Sequence, residues 1–357
     1  MGCQMNEYDS ELVRAILSGA GYGFTDNELE ADIIMLNTCS VRENAHRKAY
    51  GNIHEIRHRR QGKPALFGIL GCMATGLRRQ LLDDRDLDLD FVVGPDSYKR
   101  LPEVLREVAA QKGHGYDVTL SEFETYADVY PNRTSGLNAW VAVMRGCNNF
   151  CSFCIVPYTR GRERSRPVGN IVDEVKRLAG EGFKQVTLLG QNVNSYRHDG
   201  HDFAFLLDEV SRVDGIARIR FTSPHPKDFP ESLIRVLADN PRVCKQVHLP
   251  LQAGNDRVLE LMNRNYTAGD FLALVGRLRK ACPSLALSTD IIVGFPTESD
   301  AEFEDTVRVM EQVRFDTAFM FKYSVRPNTE AARVLKDDDP EEVKTSRIVR
   351  LNKLQTD

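Results

Sequence analysis

The sequence has few of the features that mark secreted, membrane-spanning or disordered proteins. Its longest apolar runs, residues 33–36 and 65–70, fall far short of the ~20 residues that a membrane helix needs. No basic-then-apolar leader stands at its N-terminus, so we expect a cytoplasmic protein. Eight cysteines in 357 residues are too few for a disulfide scaffold, which leaves them as metal ligands, nucleophiles or core residues. Because the net charge is −4, nucleic-acid binding would require local basic patches.

Helical and strand patterns alternate over residues 1–115, which we assign to a first domain. Apolar side chains recur at helical spacing, and short continuous apolar runs are typical of buried strands. The predicted helices cover residues 6–19, 41–60 and 97–110, and the predicted strands cover residues 33–36, 65–70 and 91–93. Strict alternation of strands and helices favours a doubly wound parallel sheet.

Residues 116–136 have few apolar repeats and are predicted to be a linker, and residues 137–357 form a second alternating domain. Its predicted strands cover residues 139–144, 185–189, 217–222, 246–251, 286–293 and 317–323. Helices are predicted between them at residues 168–180, 203–213, 230–239, 267–281 and 299–313, with a last helix at residues 341–354. Six strands with five intervening helices predict a partial (β/α)6 barrel, whose active site would lie at the C-terminal ends of the strands.

The strongest motif is a cysteine triplet directly after the first predicted barrel strand, Cys147-Asn-Asn-Phe-Cys151-Ser-Phe-Cys154. Three thiols within eight residues can surround a single centre. Tetrahedral zinc sites and iron–sulfur clusters usually take four protein ligands, and no fourth stands beside this triplet. Three thiolates would leave one iron of a 4Fe-4S cluster open for chemistry. A zinc knuckle or a structural cluster is the alternative interpretation.

A second triplet, Cys3, Cys39 and Cys72, is scattered along the first domain. Cys39 and Cys72 each follow a predicted strand, and Cys3 stands where a strand would end. Because the carboxyl ends of parallel strands share one edge of a sheet, the three thiols are predicted to converge there. This predicts a second cluster held by three cysteines. The alternative is that these cysteines are small buried core residues.

The first motif resembles the signature of radical S-adenosylmethionine enzymes. In that family the amine and carboxylate of S-adenosylmethionine occupy the open iron, and an electron from the cluster cleaves the sulfonium to give a 5′-deoxyadenosyl radical. Phe153, before the last cysteine, matches the position whose backbone approaches the adenine in that family. The resemblance therefore implies that Phe153 binds the cofactor.

The segments around the second triplet resemble the N-terminal domain of methylthiotransferases, which are radical S-adenosylmethionine enzymes with an auxiliary 4Fe-4S cluster. These segments are Gly2-Cys3-Gln4-Met5-Asn6, Asn37-Thr38-Cys39-Ser40-Val41-Arg42-Glu43 and Gly71-Cys72-Met73-Ala74. The resemblance implies two 4Fe-4S clusters, held by Cys3, Cys39 and Cys72 and by Cys147, Cys151 and Cys154, together with S-adenosylmethionine. The family's first strand and its small C-terminal β-barrel are missing from this chain, so we expect it to be a fragment of the full enzyme.

Residues 156–167 and 189–196 most resemble the bacterial branch that acts on tRNA. The implied reaction inserts a methylthio group at carbon-2 of N6-isopentenyladenosine, the nucleoside 3′ of the anticodon. One S-adenosylmethionine molecule methylates the cluster-bound sulfur and another generates the radical. Because the cofactors carry out the difficult steps, we expect no catalytic side chain beyond the cluster-bound cofactor.

The resemblance also implies partners. They are the anticodon stem-loop of tRNA and a one-electron donor such as flavodoxin or ferredoxin, with no membrane and no DNA. Two other substrates remain open within the same chemistry: an aspartate of a ribosomal protein, and threonylcarbamoyladenosine in tRNA. A non-enzymatic iron–sulfur electron carrier is the alternative from another class.

Polar residues at the predicted strand ends are candidates for binding S-adenosylmethionine, because ligands of barrel folds lie there. Besides Phe153, they are Gln191, Asn192, Ser223, His225, Gln252, Asp290 and Tyr323. Each could instead cap a helix or stabilise a loop.

A local cluster of arginines is the candidate RNA contact. Four arginines lie within seven residues against a single acid, Glu163, and guanidinium groups suit phosphates and bases. The four are Arg160, Arg162, Arg164 and Arg166. Some of them could contact the cofactor or the auxiliary cluster instead.

Overall fold

The structure, a computed structural model, describes residues 2–40, 43–111, 113–133 and 136–356, with the side chains of residues 43–45 excepted. The strands are β1 Ile33–Thr38, β2 Leu66–Gly71, β3 Phe91–Val93, β4 Gly115–Asp117, β5 Asn138–Ala142, β6 Met144–Arg145, β7 Arg164–Ser165, β8 Gln185–Leu189, β9 Arg197–His198, β10 His201–Asp202, β11 Arg218–Phe221, β12 Gln246–His248, β13 Ala286–Val293 and β14 Thr317–Lys322. The helices are α1 Gln4–Gly19, α2 Glu43–Arg60, α3 Cys72–Leu77, α4 Gln80–Asp83, α5 Leu101–Ala109, α6 Val156–Arg160, α7 Val168–Gly180, α8 Phe203–Ser211, α9 Glu231–Asp239, α10 Asp256–Leu261, α11 Ala268–Ala281, α12 Asp300–Val313, α13 Glu330–Val334 and α14 Glu341–Thr356. Within the described ranges, every helix is too short or too polar to cross a bilayer.

The chain forms two compact units. The first comprises residues 1–135, 145–147 and 155–164, and the second comprises residues 136–144, 148–154 and 165–357. Each unit therefore contains part of the segment that follows β5.

The first unit is built on a parallel sheet with the strand order β1-β2-β3-β4. The register pairs Ile33 with Leu66 and Thr38 with Gly71, so β1 and β2 end at the same edge. Helix α1 forms because its apolar residues recur on one face, which buries Tyr8, among others. The predicted α/β class with a parallel sheet is confirmed. The start of α2 predicted at Val41, like Arg42, lies outside the described residues.

Strand β4 was not predicted, because its sequence Gly-Tyr-Asp has no apolar run. It pairs with β3 and falls at the start of the segment interpreted as a linker. Further along that segment, Tyr126 is fully buried, and its hydroxyl accepts from the backbone N–H of Tyr98 and donates to the carbonyl of Pro95. These residues therefore pack within the first unit.

The second unit contains two three-stranded parallel sheets, in the orders β5-β8-β11 and β12-β13-β14. An isolated parallel bridge from Ile219 to Val243 continues the first sheet toward the segment that leads into β12. The six strands and the helices between them follow the predicted pattern and confirm a partial (β/α)6 barrel. Capping boxes at Thr267 and Ser299 fix where α11 and α12 begin, so the loops before them have a defined length.

Candidate metal centres and cofactor site

The three cysteines of the scattered triplet lie at junctions between strands and helices in the first unit. Cys3 is the N-cap of α1, Cys39 directly follows β1, and Cys72 is the first residue of α3 after β2. Their sulfurs interact, since the Cys39 side chain hydrogen-bonds Cys3 and the charges of Cys3 and Cys72 influence each other. The structure therefore brings together the three thiols that the sequence predicted to share one edge.

Two asparagines hold the loops that carry Cys3 and Cys39. The Asn6 amide donates to Asn37 Oδ1 at 2.9 Å and to the carbonyl of Thr38 at 3.1 Å. The Asn37 amide donates back to the carbonyl of Asn6 at 3.0 Å. Because these bonds are reciprocal, the two loops are fixed to each other.

Gly71 permits the close approach of the third loop. Its φ of +88° is a conformation that favours glycine, and an added Cβ would stand 2.8 Å from the carbonyl oxygen of Thr38 and would also collide with the Asn37 amide oxygen. The sequence motif Gly71-Cys72 thus has a steric basis.

The environment of this triplet favours the thiolate form of Cys3 and disfavours that of Cys72. The hydrogen bond from Cys39 lowers the pKa of Cys3 to about 6, and the positive charge of Arg160 adds to the effect. Burial raises the pKa of Cys72, although Arg160 opposes that shift by donating from Nε to Cys72 Sγ at 3.0 Å. Helix N-termini and arginines are the usual means by which proteins activate cysteine ligands.

The chemistry of these residues fits an iron–sulfur cluster. No three His, Cys, Asp or Glu side chains in the described part of the chain are grouped closely enough to hold one metal ion. The donor set is nevertheless three thiols beside an arginine, which is the type of donor that iron–sulfur clusters take.

The loop that carries Cys151 and Cys154 is held in the second unit by residues at the end of α10 and directly after it. Ser152 donates from its backbone N–H to the carbonyl of Met262 at 3.0 Å and from its hydroxyl to the carbonyl of Leu261 at 2.7 Å. The Asn263 amide donates to the carbonyl of Phe150 at 2.9 Å. Cys154 donates its N–H to the carbonyl of Cys151, which closes a tight turn between the two thiols.

Arg264 is a residue of this site that sequence reasoning missed. Its Nη1 donates to Cys151 Sγ at 3.2 Å, its Nε donates to the Tyr266 hydroxyl at 3.1 Å, and the side chain is buried. A hydrogen bond to a cluster ligand is one of the means by which a protein tunes iron–sulfur chemistry. Nothing in the local sequence distinguishes Arg264 from a surface arginine.

Three predicted cofactor residues present unsatisfied polar atoms after β8 and β11. Gln191 Oε1, Asn192 Oδ1 and His225 Nε2 are buried and have no hydrogen-bond partner in the described ranges. Asn194 joins the two loops, because its amide nitrogen donates to the carbonyl of His225 at 2.9 Å and its Oδ1 accepts the N–H of His225 at 2.7 Å. Buried polar atoms without a protein partner are what a polar ligand would satisfy.

Backbone strain marks the ends of other barrel strands. Ser223 and Gln252 have φ values of +59° and +70°, which non-glycine residues rarely adopt, and Gly294 follows β13 with a φ of +65°. Such conformations cluster at ligand sites. The role of Ser223 and Gln252 in cofactor binding stays a prediction.

The last three predicted cofactor residues have different surroundings. Asp290 is half-buried on β13 and accepts from His248 Nε2 at 3.2 Å. Phe153 packs its ring edge-on against Phe295, with the centroids 6.4 Å apart. Tyr323 is 4% exposed and lies in the same apolar cluster, and its role in cofactor binding stays a prediction.

Three members of the arginine cluster are buried in this structure, and their contact with RNA stays a prediction. Arg164 is buried in an ion pair with Asp96 at 2.7 Å, and Arg166 is buried in one with Glu174 at 2.6 Å. Arg160 is buried in the first unit beside Cys72. Arg162 is exposed, and its contact with RNA stays a prediction.

The buried imidazole of His225 should make the protein acid-sensitive. Burial lowers its pKa to about 2, helped by the charges of Arg264 and Lys227, whereas the unfolded chain titrates near 6.5. Below pH 6.5 His225 is therefore protonated in the unfolded state and stays neutral in the folded state. The free energy of unfolding that this difference provides at pH 7 is lost as the pH falls. We expect wild type to lose about 2 kcal/mol more unfolding free energy between pH 7 and pH 5 than His225→Gln. Urea titrations at both pH values measure this, and equal losses in the two proteins would contradict it.

Comparison with known proteins places these sites in a family. Residues 141–310 match the model of the radical SAM superfamily, and residues 1–94 match the model of the uncharacterized protein family UPF0004. A solved radical S-adenosylmethionine methyltransferase, TsrM from Kitasatospora setae, superposes with a TM-score of 0.70 at 16% identity over 91% of this chain and 71% of its own. That likeness shows the shared fold.

Curated relatives match nearly the whole sequence. The tRNA-2-methylthio-N(6)-dimethylallyladenosine synthase of Prosthecochloris aestuarii is 46% identical over 99% of this chain and 81% of its own length. The protein of the same name from Porphyromonas gingivalis is 48% identical over 99% of this chain and 78% of its own. At this identity and coverage, the chain belongs to the methylthiotransferase family of radical S-adenosylmethionine enzymes.

Proposed function

We propose that this protein is a tRNA methylthiotransferase that inserts a methylthio group at carbon-2 of N6-isopentenyladenosine next to the anticodon. The observation that carries the proposal is the convergence of Cys3, Cys39 and Cys72 in a chain that also has the Cys147, Cys151 and Cys154 motif. The relatives named for this reaction are 46–48% identical over nearly the whole chain, which supports the same substrate.

Two 4Fe-4S clusters and S-adenosylmethionine, when bound, supply the radical and sulfur chemistry that an unactivated aromatic C–H bond requires. The chain's own residues supply the ligands of the clusters and orient the cofactor. Cys3, Cys39 and Cys72 would hold one cluster, and Cys147, Cys151 and Cys154 would hold the other.

The second unit also offers a binding surface for a polar cofactor. Gln191, Asn192 and His225 present buried polar atoms that have no partner in the described ranges. His225 accepts at Nδ1 from the backbone N–H of Lys227, so its neutral ring carries the hydrogen on Nε2 and can donate there. We propose that these three residues orient S-adenosylmethionine.

The partners follow from the chemistry. Reduction of a cluster requires a one-electron donor, and we propose a small redox protein such as flavodoxin or ferredoxin. Because the substrate is tRNA, we propose that the protein acts in the cytoplasm, with neither membrane nor DNA as a partner.

The proposal is tested with the anaerobically reconstituted protein. It is incubated with dithionite, S-adenosylmethionine and an excess of isopentenylated anticodon stem-loop, and the digested nucleosides are analysed by mass spectrometry. We expect the methylthio nucleoside, and no product from an RNA that lacks the isopentenyl group. Parallel reactions contain a threonylcarbamoyladenosine stem-loop or ribosomal protein. If either of these is modified instead, or if 5′-deoxyadenosine forms with no methylthio product at all, the substrate assignment is wrong.

A further inference from the structure

Arg160 is a buried cation whose contacts lie in the first unit. It is the last residue of α6, its side chain is 3% exposed, and its Nε donates to Cys72 Sγ at 3.0 Å. Its Nη1 is buried and has no partner in the described part of the chain. One nitrogen thus contacts a ligand sulfur, and another is left for an acceptor that the protein does not provide.

Asp9 fixes Arg160 in this position. Its Oδ2 accepts from Arg160 Nη2 at 2.8 Å, and its Oδ1 accepts from Arg145 Nη2 at 2.6 Å. All three side chains are at most 3% exposed. The Arg145 guanidinium lies 4.6 Å from the centre of the Tyr126 ring, and this cation–π contact helps to hold it beside the Asp9 carboxylate.

The charges of this group do not cancel. Two guanidiniums share one carboxylate, and the other groups whose negative charge would act on Arg160 are the thiols of Cys3 and Cys72 and the Tyr98 hydroxyl. An uncompensated buried charge is strongly unfavourable unless a counter-charge is present. A 4Fe-4S core held by three thiolates is a net anion, so a cluster on Cys3, Cys39 and Cys72 would supply that counter-charge.

We propose that Arg160 sets the reduction potential of the auxiliary cluster, with Asp9 and Arg145 as positioning residues. A donor on a ligand sulfur and a nearby positive charge both stabilise the reduced cluster, which is the more negative state, and both therefore raise its potential. The inference rests on the proposed function only in taking the group on this triplet to be a 4Fe-4S cluster.

The test isolates the auxiliary cluster. In a protein in which Cys147, Cys151 and Cys154 are replaced with alanine, the remaining cluster is reconstituted and titrated by electron paramagnetic resonance. We expect Arg160→Gln to make the reduction equilibrium about tenfold less favourable, which is about 59 mV more negative for one electron. Arg164→Gln is the matched control, because it removes another buried, ion-paired guanidinium from the same segment, whose hydrogen bonds in the described ranges go to Asp96 and to the carbonyls of Ser121 and Arg160 and not to a cysteine. It should leave the midpoint unchanged.

Iron and sulfide assays separate the two hypotheses. If the parent protein binds no cluster on this triplet, the proposed function fails. If the cluster is present and Arg160→Gln leaves its midpoint unchanged, or Arg164→Gln shifts it equally, the role of Arg160 is refuted. Should Arg160→Gln fail to load iron, Arg160→Lys decides. It retains the charge but loses the Nε contact, so a lowered midpoint supports the role of that contact and an unaltered one refutes it.

Discussion

Cys39→Ala should stop methylthio transfer to tRNA while 5′-deoxyadenosine continues to form, and Cys151→Ala should reduce both products to background. Cys39 lies beside Cys3 in the first unit, whereas Cys151 lies in the second unit in contact with Arg264. Loss of one thiol should therefore disable one cluster and spare the other. Mass spectrometry of the nucleosides and chromatography of deoxyadenosine measure the two products in one reaction.

Cys244→Ala is the control, since Cys244 belongs to neither triplet and is only partly buried. It should yield both products. Continued methylthio transfer by Cys39→Ala would show that the scattered triplet is only packing.

Gly146→Ala should destabilise the protein by about 3 kcal/mol or more and should reduce the iron bound beside it. The glycine has a φ of +79°, and an added Cβ would collide with the backbone carbonyl of Arg162 and stand 2.7 Å from that of Gly161. Those atoms are backbone and cannot rotate away. The next residue, Cys147, donates its N–H to the carbonyl of Gly161 at 3.1 Å, so displacing the segment around Gly146 would also move Cys147, a predicted cluster ligand. Urea unfolding followed by circular dichroism gives the stability, and a colorimetric assay gives the iron.

Gly21→Ala separates strain from collision. Gly21 has a similar φ of +88°, but no described atom lies within 4 Å of the position of its Cβ. Gly21→Ala should lower the free energy of unfolding by about 1 kcal/mol, which is the energy needed to hold an alanine in the left-handed conformation when nothing collides with its side chain. Equal losses in the two variants would contradict the steric argument for Gly146.

Much of the fold could be predicted because its elements have strong local patterns. The strands at residues 185–189 and 286–293 and the helix at residues 168–180 begin and end where their apolar periodicity predicts. Strand β4 was missed because a three-residue segment without an apolar run becomes a strand only through pairing with β3. Its backbone hydrogen bonds depend on a neighbour that local sequence does not reveal.

The candidate site likewise has a part that the sequence predicted and a part that it did not. The spacing of one cysteine motif, and the strand-end positions and flanking segments of the other three cysteines, predicted both triplets, but they could not predict the partners of the arginines. Asp9 lies 151 positions from Arg160, and Cys151 lies 113 positions from Arg264. A run of arginines looks the same whether it contacts RNA or a buried carboxylate, and only burial distinguishes the two.

The contrast between the two triplets has a consequence for biogenesis. The thiols at Cys147, Cys151 and Cys154 are neighbours along the backbone, so they come close together without long-range folding. Those at Cys3, Cys39 and Cys72 meet only after β1 and β2 have paired and α1 and α3 have docked. Iron–sulfur delivery should accordingly proceed in a fixed sequence, and the auxiliary centre should be the one that cells under iron starvation or oxidative stress leave unfilled.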